Sequence, residues 1–211
     1  MAYTAKRWSE RVQSRIDVCS QISHLTRAAS IDGKPHSALQ IIIKILRERR
    51  IEPSTTESGF IVGDTPAICF HDAPLYSICQ NIEFERKLAR EIGAKKHRYE
   101  PVGLSFPKPY VYGCGARPVF YEKTNVARDL LPADQWWRIV NFDLSNQENF
   151  IDWTHEREWR LPGPFNFDIQ YATVLVPNTR VFKNFLRLGS SDGENVAEKV
   201  RCVITLGSLY A

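Results

Sequence analysis

The stretch Asp152-Trp-Thr-His-Glu-Arg-Glu-Trp-Arg160 carries the densest set of side chains able to do chemistry. Read as a strand, its period of two sends Trp153, His155, Arg157 and Trp159 to one side and Thr154, Glu156, Glu158 and Arg160 to the other. Glu156 and Glu158 then share a face bordered by tryptophans, where neighbouring like charges raise each other's cost of ionisation. Such a pair suits a carboxylate that acts on a substrate or holds a cation. The same residues also fit a surface strand whose glutamates pair with Arg157, Arg160 or Arg117.

Three further groups offer polar chemistry. In Ser23-His24-Leu25-Thr26-Arg27, at the end of a first strand, His24 and Thr26 point the same way and present two hydrogen-bonding side chains, although a lone His-x-Thr equally describes a satisfied structural histidine. Cys69-Phe-His71-Asp72-Ala-Pro74 runs from a strand into a helix start, where backbone N–H groups can receive a phosphate and where His71 and Asp72 equally serve as a helix cap. In Tyr110 to Tyr121, Gly113 and Gly115 permit close backbone approach and Arg117 enters the next strand. That segment lacks the GxGxxG spacing of a dinucleotide fingerprint, and the chain has no GxxxxGK[ST], GxSxG or HExxH motif.

The elements that position these groups follow from periodicity. Residues 1–17 read as a basic amphipathic helix, with Trp8, Val12 and Ile16 at helical spacing among Lys6, Arg7, Arg11 and Arg15. Ser37 caps a helix over Ala38–Arg49, whose Leu39, Ile42, Ile43 and Leu46 form one apolar stripe. Two more helices are expected, from Leu75 to about Lys96 and over Arg180–Leu188. Strands are expected over Val18–Thr26, Pro66–Phe70, Val102–Phe106, Arg117–Tyr121, Phe150–Leu161, Tyr171–Val176 and Arg201–Leu206. Strands and helices mix irregularly, which predicts a single α+β domain over residues 1–211 and disfavours a doubly wound parallel sheet.

With 43% hydrophobic and 25% charged residues in 211, the composition is that of a globular chain able to build a core. No apolar run, Ile41-Ile42-Ile43 included, approaches the length of a membrane span, and the charged N-terminus lacks the apolar stretch of a secretory signal. The expectation is a cytoplasmic protein without a membrane partner. Net charge is +4, concentrated in residues 1–50, where 10 Lys and Arg face 4 Asp and Glu. That excess fits either a nucleic-acid or phosphate-bearing partner or a solvated face. Five scattered cysteines, without a CxxC, argue against a disulfide scaffold and structural zinc, and read as small buried residues.

The order of His-x-Thr on an early strand, an Ile-rich helix, a Cys-Phe-polar-x-Pro segment and a late Glu-x-Glu resembles the ADP-ribosyltransferase superfamily, including the DarT-like DNA-modifying toxins. The phrases ICFHDAPL, GARPVFY and DWTHEREWR are similar to a group of bacterial proteins found near abortive-infection, or phage-defence, genes, a likeness running from about His24 to Arg160. The resemblance implies a split mixed or antiparallel β-sheet with flanking helices that clamps NAD between two half-sheets. It implies that His24 hydrogen-bonds the nicotinamide ribose with Thr26 in support, and that Arg27, His71, Arg117 and Tyr121 join the NAD-binding set. Glu156 or Glu158 would orient the ribose hydroxyl and the incoming nucleophile, the acceptor being a nucleic acid or a protein, with plain NAD hydrolysis as the variant outcome. The Ser-Thr-Ser strand of the arginine-modifying branch has no counterpart, since Ser54-Thr55-Thr56 falls in an expected loop, and the nicotinamide-stacking tyrosine is Tyr76, Tyr121 or neither. Two rival readings stand beside this one: a nuclease whose metal is held by Asp152, Glu156 and Glu158, and a non-catalytic binding or antitoxin module.

Overall fold

In the computed structural model, which describes residues 2–93, 99–191 and 193–209, the basic amphipathic helix is α1, Ala5–Gln13. Trp8 and Val12 are half-buried, whereas Lys6, Arg7, Arg11 and Arg15 are exposed. Strand β1 spans Gln21–Leu25, and β2 (Ala29–Ile31) and β3 (Lys34–His36) form a hairpin whose corner holds Asp32 and Gly33 at positive φ. Helix α2, Ala38–Glu48, starts in a capping box: Ser37 Oγ accepts from the Gln40 N–H and Gln40 Oε1 accepts from the Ser37 N–H. Its stripe buries Ile42 and Leu46 completely, and the helix ends at Arg49 in the left-handed conformation.

Beyond β4 (Arg50–Ile51), β5 covers Ala67–His71 and α3 covers Leu75–Glu91; the expected extension of α3 to Lys96 runs into residues outside the described ones. Then follow β6 (Gly103–Pro107), α4 (Lys108–Gly113), β7 (Arg117–Pro118), β8 (Phe120–Glu122), α5 (Thr124–Leu130) and β9 (Ile139–Asn141). The remainder holds β10 (Glu158–Pro162), β11 (Phe165–Asn166), β12 (Thr173–Val176), α6 (Thr179–Gly189), α7 (Val196–Lys199) and β13 (Cys202–Thr205).

The chain is α+β and divides into two compact units, each gathered from separate stretches. The first comprises residues 1–22, 51–73 and 107–165. Here β10 pairs antiparallel with both β5 and β7, while β8 pairs parallel with β9. Its core includes Ile61, Ala67 and Trp137, and Phe70 meets Phe165 edge-on with ring centroids 6.0 Å apart. The second comprises residues 23–50, 74–106 and 166–211. Its sheet is mixed, β12 pairing parallel with β13 and antiparallel with β6. Cys79, Leu175 and Leu206 pack together there, and Phe106 meets Phe167 at 5.0 Å. Among the described residues no helix is long and apolar enough to cross a membrane.

Three expectations are corrected. The strand placed over Phe150–Leu161 is extended only from Glu158; Thr154–Glu156 is a 3-10 turn, and Arg157 takes the left-handed region at φ 45°. The strand over Arg117–Tyr121 breaks at Val119, because β7 pairs with β10 and β8 with β9. Of the cysteines only Cys79 is fully buried: Cys19 and Cys69 are half-buried, and Cys114 and Cys202 are exposed.

Candidate functional site

Strand β10 organises the polar core of the first unit. Its register with β5 sets Glu158 opposite His71, Trp159 opposite Phe70 and Arg160 opposite Cys69. Directly opposed residues of an antiparallel pair share a face, so His71, Glu158, Cys69 and Arg160 lie on one side and Trp159 on the other. Glu158 and Arg160 are almost wholly buried, and His71 nearly so.

Arg160 makes the burial of that charge tolerable. Its Nε donates to Glu158 Oε1 at 2.7 Å and Nη2 reaches Oε2 at 3.4 Å; Nη1 donates to the carbonyls of Trp137 (2.9 Å) and Ile139 (3.0 Å), and Nη2 to that of Phe60 (3.1 Å). The five N–H groups of a guanidinium thus meet five acceptors. Burial opposes the Arg160 charge, but Glu158 outweighs it and holds the guanidinium above its ordinary pKa. Burial pushes the neighbouring Cys69 thiol well up, reinforced by Glu158, so it stays protonated. The pairing of Glu158 with Arg160 is therefore an internal ion pair, not the surface salt bridge that was the alternative reading.

Glu156 sits differently. It ends the 3-10 turn just before β10 and is buried, while its neighbours His155 and Arg157 are exposed. The alternation of burial expected of a strand thus persists without a strand: burial falls on residues 156, 158 and 160 although the backbone between the first two is left-handed. That conformation is unfavourable for a residue with a Cβ and persists only where surrounding contacts over-determine it. The contacts are present. Asp152 Oδ1 accepts from the N–H and hydroxyl of Thr154 (2.8 and 2.6 Å), and these bonds hold its carboxyl below the usual range. Arg157 donates to the Asp17 carbonyl, and the Arg157 carbonyl accepts from the Asp72 N–H. Tyr121, on β8, donates its hydroxyl to the Trp153 carbonyl at 3.3 Å and accepts from the Glu158 N–H at 2.8 Å. Burial raises the Tyr121 pKa to about 12.

The remaining candidates fall in two places. Arg117 opposes Arg160 in register, yet its guanidinium lies over the Tyr112 ring at 4.0 Å and donates to the carbonyls of Tyr112 and Ala116. Asp72 does not cap α3, whose N-cap is Pro74 without a side-chain bond; it accepts from Lys108 Nζ (2.6 Å), Trp159 Nε1 (3.1 Å) and Cys19 Sγ (3.4 Å). His24, Thr26 and Arg27 belong to the second unit. There His24 is half-buried on β1 and Arg27 is exposed, while Thr26 is buried, its N–H donating to the Val102 carbonyl at 2.8 Å. Thr26 Oγ1 is buried with no hydrogen-bond partner among the described residues.

No family model, curated protein or solved structure matches this chain. The site's chemistry therefore rests on its geometry. Among the described residues, no group of three His, Cys, Asp or Glu side chains is arranged to hold a metal ion. The triad of Asp152, Glu156 and Glu158 is not such a group: Asp152 caps the turn and Glu158 is bound to Arg160. Reasoning from sequence singles out the two glutamates and names Arg160 among three possible partners, but it misses that the pair is buried and that Asp152 caps the turn. The Asp152-x-Thr154 spacing, typical of a side chain bonding the backbone two residues on, was the available signal for the latter.

Proposed function

We propose that the chain cleaves the nicotinamide–ribose bond of NAD and transfers ADP-ribose to a macromolecular acceptor, or to water, with Glu156 as the catalytic carboxylate. The observation that carries the assignment of Glu156 is the unequal treatment of the two glutamates. Glu158 is neutralised by a guanidinium at 2.7 Å, whereas Glu156 is presented on a strained, tethered turn, the kind of backbone outlier that clusters at active sites. The choice of NAD comes from the resemblance to ADP-ribosyltransferases, and the setting it suggests is a bacterial toxin or phage-defence protein acting in the cytoplasm.

In this reading the C–N bond to nicotinamide breaks with its electron pair leaving on the base, and positive charge develops on the ribose carbon. A buried carboxylate stabilises that charge more strongly than one in water, and it then accepts the proton of the attacking hydroxyl, amine or water. Glu158, with Arg160, serves as the support of the strand. His71 lies opposite Glu158, while His24, Thr26, Arg27 and Arg117 are the side chains that the resemblance offers for holding NAD. The buried Thr26 hydroxyl, two residues from His24 and without a partner among the described residues, is consistent with such a role.

The test incubates the purified chain with NAD, and separately with DNA and RNA, each with and without a chelator. Free nicotinamide that persists with chelator present is the expected result. Nucleic acid cut only without chelator would replace this reading with the nuclease, and neither activity would leave a binding module.

A further inference from the structure

We infer that the Tyr121 hydroxyl is the clasp that holds the turn presenting Glu156, making Tyr121 a positioning residue instead of a ring stacked on a ligand; the inference rests on the reading of Glu156 as the catalytic carboxylate. The hydroxyl sits at both ends of one short loop. It donates to the Trp153 carbonyl, immediately before the 3-10 turn, and accepts from the Glu158 N–H, immediately after the left-handed Arg157. A single oxygen thus closes the loop that carries Glu156.

The left-handed Arg157 gives the clasp its consequence. The turn stores backbone strain, and relaxation of Arg157 toward an ordinary φ would swing the backbone on both sides of it, Glu156 included. The other tethers each act at one point: Asp152 caps the turn from within the loop, Arg157 reaches Asp17 through a long exposed side chain, and the Arg157 carbonyl accepts from the Asp72 N–H. Tyr121, held on β8 by its pairing with β9, links the start of the loop to the start of β10 through a half-buried group that remains protonated at neutral pH. Because its hydroxyl both donates and accepts within the protein, its hydrogen-bonding role is already committed.

Tyr121→Phe keeps the ring and removes only the oxygen. Two measurements on this variant decide the matter: hydrogen exchange of the Glu158 amide by NMR, and steady-state nicotinamide release from NAD. The expected result is exchange at the Glu158 amide faster by about tenfold or more, with kcat lowered about 10- to 100-fold by the misplaced carboxylate and KM for NAD unchanged. Unchanged exchange overturns the clasp whatever the activity does. Faster exchange with unchanged kcat overturns the positioning role, as does a raised KM with kcat intact, which would place the tyrosine against NAD. Should the wild-type chain release no nicotinamide, the proposed function fails by itself, and the amide exchange still decides whether Tyr121 holds the turn.

Discussion

Glu158 and Arg160, two residues apart on one strand, form an ion pair at 2.7 Å inside the first unit, and every N–H of the guanidinium finds an acceptor. A pair this buried is costly to break from one side, because the surviving charge cannot return to water. Glu158→Gln is expected to destabilise the fold by about 3 to 5 kcal/mol, read from urea denaturation midpoints. A loss under about 1 kcal/mol, the scale of an exposed pair, would show that the pair is solvated in solution.

The double variant Glu158→Leu with Arg160→Met separates the pair from its scaffold. Replacing a buried ion pair by apolar residues is often neutral or stabilising. Here Arg160 also donates to the carbonyls of the buried Trp137 and Ile139, which the double variant leaves without that donor. Each such orphan costs about 1 to 3 kcal/mol, so the double variant is expected to remain clearly less stable than the wild type. Recovery of wild-type stability would mean that those carbonyls find other donors.

The elements most legible in the sequence are those whose causes are local. Helix α2 ends within one residue of expectation because its apolar stripe, Ser37 and Gln40 all lie inside the segment. The segment from 150 to 157 misled because its alternation of charge and tryptophan imitates a strand, whereas the backbone is dictated by Tyr121, Asp17 and Asp72, all distant in sequence. The same limit governs the site. Two acidic residues at short spacing are visible as types, but which of them pairs with Arg160 depends on that side chain turning inward to collect the Phe60, Trp137 and Ile139 carbonyls, which no spacing announces.

Gly103 is a position whose role is invisible in the sequence and plain in the structure. A Cβ there would lie 2.4 Å from the His24 carbonyl oxygen and 3.1 Å from the Leu25 Cα. The obstacles are backbone atoms of β1, so they cannot rotate away. Gly103→Ala is expected to cost about 1 to 3 kcal/mol and to shift the amide resonances of residues 24–26, which heteronuclear NMR would read. Unperturbed shifts would show that β6 does not approach His24 this closely.

Alkaline pH probes Tyr121 directly. Burial raises its pKa from 10.0 to about 12 in the folded chain, so between those values the folded state keeps a proton that the unfolded state releases. The corresponding stability is fully present below pH 10 and is lost as pH rises to about 12. Cys19, raised by burial to about 11, and Cys69, pushed well up by burial, add to the alkaline decline. In Tyr121→Phe the fall of Tm over this range should be shallower than in the wild type, with the contributions of Cys19 and Cys69 left. Identical slopes would mean that the hydroxyl titrates as it does in the unfolded chain.

The two glutamates give the sharpest contrast between catalysis and architecture. Glu156→Gln preserves volume and hydrogen-bonding capacity and removes the charge, so nicotinamide release should fall by at least about a hundredfold, the scale of losing one electrostatic group. Its stability should fall less than that of Glu158→Gln, because Arg160 keeps its counter-ion. Glu158→Gln should reverse the pattern, with a large loss in denaturation midpoint and residual activity in whatever fraction stays folded. Activity is therefore best normalised to folded protein, measured by near-ultraviolet circular dichroism on the same samples. If Glu158→Gln, corrected in this way, loses as much nicotinamide release as Glu156→Gln, then Arg160 holds a catalytic carboxylate in place, and the division of roles between the two residues is wrong.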